Sequence, residues 1–131
     1  MACLDPRRLA PRVRLEGLCG VVTQRELRHA ALIDLSASGL RLERPFDPAS
    51  ASRVVQLEIE LPDVDEVVWA RGDITYALLT PMGGRHPNGQ PRFWCRAGIR
   101  IGGMAQRDRR LLRDYVFEVR RARTAPAAIG P

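Results

Sequence analysis

The sequence contains no lysine: all 21 of its basic residues are arginine. This excludes a P-loop lysine, a lysine Schiff base and an anchor for pyridoxal phosphate. What is left are planar guanidinium forks, which suit bidentate contact with phosphates and guanine edges. Histidine is scarce too, and His29 and His86 stand in no metal-ligand spacing. Cys3, Cys19 and Cys95 are odd in number and form no C-x-x-C pair, which argues against both a disulfide framework and zinc. With two Trp, two Tyr and three Phe, the chain is short of stacking platforms for single-stranded nucleic acid, so no nucleic-acid partner is expected. No apolar run approaches the ~18 residues of a membrane span. Met1 to Arg14 has no apolar core of a secretory signal, and the reading is a cytoplasmic protein. Neither G-x-S-x-G nor H-E-x-x-H occurs, and Ser36 has no orienting base nearby, so no catalysis is expected.

What is present is ordinary for a globular chain: 131 residues, 45% hydrophobic and 27% charged. That is enough chain for one hydrophobic core. The formal net charge of +6 points to an anionic partner without naming it.

Along the chain, periodicity predicts strands for most of the length. Residues 1–11 are Pro- and Arg-rich and read as a flexible N-terminal segment. From Arg12 to Val22 the pattern is extended, with Val13 and Leu15 alternating with Arg14 and Glu16. Thr23 to Arg28 reads as a polar turn and His29 to Leu35 as a second strand. Asp34 to Gly39 is dense in turn formers, and an extended run restarts at Leu40. Arg44 to Ser52 reads as a loop. Val55, Leu57, Ile59 and Leu61 then give the clearest alternation in the chain. Val67 to Leu79 predicts a long strand and Phe93 to Ile101 another. The Pro- and Gly-rich Thr80 to Arg92 between them reads as an exposed loop. Leu111, Leu112, Tyr115, Val116 and Val119 recur at helical spacing, predicting a helix over Gln106 to Arg121. The expected fold is mainly β: a six-stranded antiparallel β-barrel with one C-terminal α-helix over residues 12–123, followed by a tail at 124–131.

Two motifs stand out. Arg8-Leu-Ala-Pro-Arg12 is an R-x-x-x-R just before the first strand. It is weak alone, because about three such pairs are expected by chance from the arginine frequency. Asp34-Leu-Ser36-Ala-Ser-Gly39 is a D-x-S-x-x-G, for which about 0.02 occurrences are expected. Its position between two strands adds weight. On an extended run Asp34 and Ser36 face the same side.

This pair of motifs resembles the PilZ family of bacterial cyclic di-GMP receptors. The resemblance extends to six strands in order, the Val67-Val68-Trp69 and Ala97-Gly98-Ile99-Arg100-Ile101 strands, and an Arg-rich terminal helix. Ile101 stands where such domains often carry Phe, and the Thr80 to Arg92 loop is longer than usual. The resemblance implies a non-enzymatic receptor that binds cyclic di-GMP and changes conformation to signal to a downstream protein. Its ligand residues would be Arg7, Arg8, Arg12, Asp34, Ser36, Gly39 and Trp69, with Arg7 favouring a two-ligand form. The chemistry agrees, since a guanidinium fork fits the O6 and N7 acceptors of guanine or a phosphate. The Asp34 carboxylate can accept from the guanine N1–H and amino group. The alternative expectation is a barrel of the same fold acting as a protein-interaction adaptor.

Overall fold

The computed structural model describes residues 12–23, 26–48 and 52–124. Six strands are present: β1 (Arg12–Thr23), β2 (Glu26–Ser36), β3 (Gly39–Pro45), β4 (Val54–Glu60), β5 (Val67–Arg85) and β6 (Pro91–Met104). One helix, α1 (Gln106–Thr124), follows them. The strands close into a barrel in the order β1-β2-β3-β6-β5-β4, every pair antiparallel. This is the architecture expected from the alternating pattern.

Closure follows from which residues point inward. Val13, Cys19, Val21, Leu35, Leu40, Leu42, Val55, Leu57, Ile59, Val68, Ala97 and Ile99 are buried together inside the barrel. Each is separated from the next on its strand by the two-residue period of a pleated strand, except where a bulge intervenes. Helix α1 lays Leu112 and Val116 on the barrel, with Leu111, Tyr115 and Val119 half-buried beside them, and it packs against β1, β2 and β5. Its C-terminal end is tied down where Arg123 Nη2 donates to the backbone carbonyl of Arg14. Asp108 in the first turn and Arg121 and Arg123 in the last complement the helix dipole.

Four features differ from the sequence expectation. The predicted loop at Thr80 to Arg92 is mostly strand: Thr80 pairs with Trp94, Pro81 with Phe93 and Met82 with Arg92. Pro81 is compatible because proline is tolerated on edge strands, and the reversal itself needs only residues 86–90. His86 and Gln90 close it through backbone hydrogen bonding, and Gly89 has a φ of 84°. The predicted polar turn at Thr23 to Arg28 is shorter as well, since Thr23 already pairs with Glu26. Strand β6 and α1 each run three residues beyond their expected ends, to Met104 and Thr124. Residues 1–11, including Arg7 and Arg8, lie outside the described residues.

Cys19 and Cys95 are free and buried. Burial pushes the Cys19 thiol up to about 12 and raises that of Cys95 as well. Cys19 is therefore expected to stay silent toward a thiol reagent at neutral pH in the folded protein and to react once denaturant is added. A Cys19→Ala comparison in the same colorimetric assay isolates its signal.

Candidate functional site

Register builds the site. Reading across the barrel wall, Arg14 of β1 pairs with Asp34 of β2, Asp34 with Arg41 of β3, Arg41 with Gly98 of β6, and Gly98 with Tyr76 of β5. The neighbouring row sets Arg12 against Ser36, and Gly39 against Arg100, which in turn faces Asp73. Leu40 and Leu42 flank Arg41 and point into the core, so Arg41 points out, and its partner Asp34 shares that face.

Two bulges are responsible for this. Ile33 is an extra residue between the Leu32–Leu42 and Asp34–Arg41 pairs. Leu32 is buried in the core, and an unbroken two-residue period would have put Asp34 there too. The bulge flips the phase and re-aims the carboxylate to the outer wall. Thr75 does the same on β5, between Ile74 and Tyr76, and its hydroxyl donates to the carbonyl of Gly98. The Tyr76 ring then lies over Gly98, where a Cβ would stand 2.1 Å from Cε1. Glycine at 98 is what lets the ring lie against the sheet.

Asp34 faces outward yet is only 2% exposed, because arginines cover it. Arg41 donates from Nε (2.6 Å) and from Nη2 to Oδ2. Arg12 Nη1 stands 3.7 Å from Oδ1. Oδ1 itself is buried and has no hydrogen-bond partner among the described residues. A buried carboxylate oxygen without a partner is costly. The hydrogen bond to Asp34 is the main reason the Arg41 guanidinium holds its proton above the ordinary arginine range, and Tyr76 adds to it.

Ser36 plays a different part from a bare donor. Its Oγ accepts from the backbone N–H of Ser38 (3.2 Å) and of Gly39 (3.1 Å) and donates to the Gly39 carbonyl. This is a hydroxyl-built turn that joins β2 to β3. Gly39 does not have a positive φ, and it is required for close approach: a Cβ there would meet the backbone oxygen of Ile99 at 2.6 Å. Trp69 sits elsewhere on the wall, 52% exposed and paired with Glu58, seven positions before Tyr76 on β5. Arg41, Tyr76 and Arg100 were missed by the sequence reading. Arg41 and Arg100 are two of many arginines, and only the register distinguishes them.

A groove of about 980 Å³ borders the row at Arg14 and runs under α1, lined by Leu15, Leu32, Tyr115, Val119 and Arg123. Asp34 does not line it. Among the described residues no group of three His, Cys, Asp or Glu side chains is placed to hold a metal ion, and no helix is long and apolar enough to cross a membrane.

The sequence profile of the PilZ domain matches residues 6–118, most of the chain. The chain belongs to the PilZ domain family. Solved PilZ-type structures share its fold at low identity. The inhibitor of motility MotI/DgrA from Bacillus subtilis superposes with a TM-score of 0.66 at 16% identity, over 93% of this chain and 55% of that one. The PilZ domain with c-di-GMP of YcgR from Escherichia coli gives 0.62 at 14%, over 89% and 94%. The K. pneumonia MrkH–c-di-GMP complex gives 0.60 at 13%, over 91% and 57%. This PilZ chain thus spans about half the length of MotI and MrkH, and nearly all of the YcgR domain. No curated protein matches it.

Proposed function

We propose that this PilZ domain is a receptor for cyclic di-GMP, with the Asp34 row as the guanine and phosphate surface. The observation that carries the reading is the Asp34 carboxylate. One oxygen is held by Arg41; the other is buried, lies 3.7 Å from Arg12 and has no hydrogen-bond partner among the described residues. A guanine N1–H and amino group supply the donors such an oxygen lacks. Around it, Arg12, Arg14, Arg41 and Arg100 outnumber Asp34 and Asp73 by two positive charges on the two adjoining rows. Two phosphodiesters would balance that excess. Tyr76 offers a flat ring beside Arg41 on which a purine can stack.

Arg8 and Arg12 enter the proposed ligand set through the R-x-x-x-R motif, and Arg7 and Trp69 only through the family resemblance, Trp69 lying on a different row. Ser36 and Gly39 act by holding the turn that fixes Asp34. In this reading the domain catalyses nothing. Ligand binding reorganises the guanidinium groups that now cover Asp34, and a downstream protein senses the altered surface. That YcgR and MrkH structures hold c-di-GMP supports this choice of ligand.

Isothermal titration with cyclic di-GMP, with GTP and cyclic di-AMP as controls, tests the proposal. Saturable binding of cyclic di-GMP alone is expected, and it should weaken by about 2–5 kcal/mol in Arg8→Ala/Arg12→Ala, as for truncated charge pairs. Absence of heat at high ligand concentration favours the adaptor reading, and wild-type affinity in the double variant removes the N-terminal arginines from the site.

A further inference from the structure

Helix α1 concentrates the chain's charge. Seven of the 21 arginines lie in its 19 residues, against Asp108, Asp114 and Glu118, so the helix carries four of the six net positive charges. The charges are also sorted around its axis. At about 3.6 residues per turn, Arg109, Arg110, Arg113, Phe117 and Arg120 fall within roughly a third of the circumference, and the three carboxylates fall outside it. All five side chains of this strip are exposed, Phe117 at 63%.

Folding does not call for this arrangement. Arg107 pairs with Glu66 and Arg121 with Glu118, but among the described residues no carboxylate pairs with Arg109, Arg110 or Arg113. Arg113 stands four positions from Arg109 and three from Arg110, spacings at which like charges on a helix repel. Arg109 also lies in the first turn, where the helix dipole disfavours a cation. Phe117, one turn from both Arg113 and Arg120, keeps an apolar ring in water. Each is a cost to the free domain that an anionic partner with an apolar side chain would relieve.

We infer that this strip of α1 is a docking surface for an acidic segment of another protein, which sets carboxylates on the arginines and an apolar side chain on Phe117. Charge complementarity selects the occupant. A second copy would bring the same arginines and be repelled. Residues 1–11 and 125–131 hold one acidic side chain, Asp5, beside Arg7 and Arg8, so the chain's own end segments do not supply the complement. Asp114 and Glu118 border the strip and oppose a broad anionic surface such as a membrane or a nucleic-acid duplex. A narrow segment meets the basic strip alone, and Phe117 gains an apolar neighbour in place of water. The surface does not depend on which ligand Asp34 takes.

NMR titration of the full chain with a synthetic amphipathic Glu/Leu peptide, at about 0.15 M salt, tests this beside a counterpart with every Glu replaced by Gln. Saturable shifts centred on the Arg109–Arg121 amides are expected with the Glu peptide, and binding about tenfold weaker or absent with the Gln peptide. Arg109→Glu/Arg110→Glu should lose at least about tenfold in affinity and still melt at or above the wild-type temperature, because it relieves the repulsion in the free helix. Phe117→Ala is the second variant, and it should weaken the same binding with an unchanged melting curve. Arg53→Glu/Arg85→Glu makes the same change in net charge at exposed sites off the helix and should bind as the wild type does. Equal binding of the two peptides, shifts centred on another element, or wild-type affinity in both helix variants overturns the inference. So does an equal loss in the two double variants. Tighter binding to phosphatidylglycerol vesicles or to a DNA duplex than to the Glu peptide overturns it too, and assigns the strip to a lipid or nucleic-acid surface.

Discussion

Asp34→Ala is expected to reduce cyclic di-GMP affinity by roughly 30-fold to several-thousand-fold while the barrel stays folded, corresponding to about 2–5 kcal/mol. The carboxylate is the single acidic acceptor on its row, flanked by Arg14 and Arg41. Without it, guanine N1–H and amino donors meet only other donors. The fold tolerates the change because Arg41 and Arg12, 35% and 39% exposed in their side chains, can turn to water once released. The truncation also removes Oδ1, which has no hydrogen-bond partner among the described residues and is a cost to the free protein. The net change in stability is therefore expected to stay within about 1 kcal/mol. Calorimetric titration beside a urea unfolding curve separates the two readouts. Wild-type affinity in Asp34→Ala would remove the carboxylate from the binding surface. A collapsed unfolding curve would show that the Arg41 pair holds the barrel together and leave its ligand role without support.

The comparison between sequence and structure turns on phase. Alternation in Val55–Leu61 and Phe93–Ile101 was enough to give strands, and six of them with a terminal helix gave the barrel. Those residues obey a two-residue period because one of their faces is buried and the other is not. Asp34 could be picked out by its motif, but its direction could not. Two residues after the core residue Leu32, it belongs inside by simple alternation, and only the Ile33 bulge takes it out. Bulges depend on cross-strand partners distant in sequence, so no local pattern reveals them. The same reason hid Tyr76, which the Thr75 bulge turns outward, and Arg41, whose role exists only once β2 and β3 are in register. The Thr80–Arg92 reading failed for another reason. Proline and glycine read locally as signs of a loop, whereas an edge strand tolerates the first and a tight reversal needs the second.

Gly39→Ala is expected to destabilise the domain by about 2–3 kcal/mol, at the upper end of the usual cost of overpacking, and to lower the melting temperature by roughly 10 °C. The family motif invites the idea that this glycine makes room for a ligand. The structure gives it a nearer neighbour: the backbone oxygen of Ile99 lies 2.6 Å from where the methyl would stand. A flexible side chain could yield there, but a strand carbonyl cannot. β3 would have to move from β6, straining the backbone bond from the Ile101 N–H to the Ser38 carbonyl and the Ser36 hydroxyl bonds to the turn. The loss of unfolded-state freedom on replacing glycine offsets only about 0.4–1 kcal/mol of this. Gly83→Ala is the matched control, because nothing lies within 4 Å of its new methyl and its φ is not positive. That variant should match or slightly exceed wild-type stability. If Gly39→Ala melts with the wild type and loses only ligand affinity, the glycine serves the ligand directly, and the close strand approach is not what demands it.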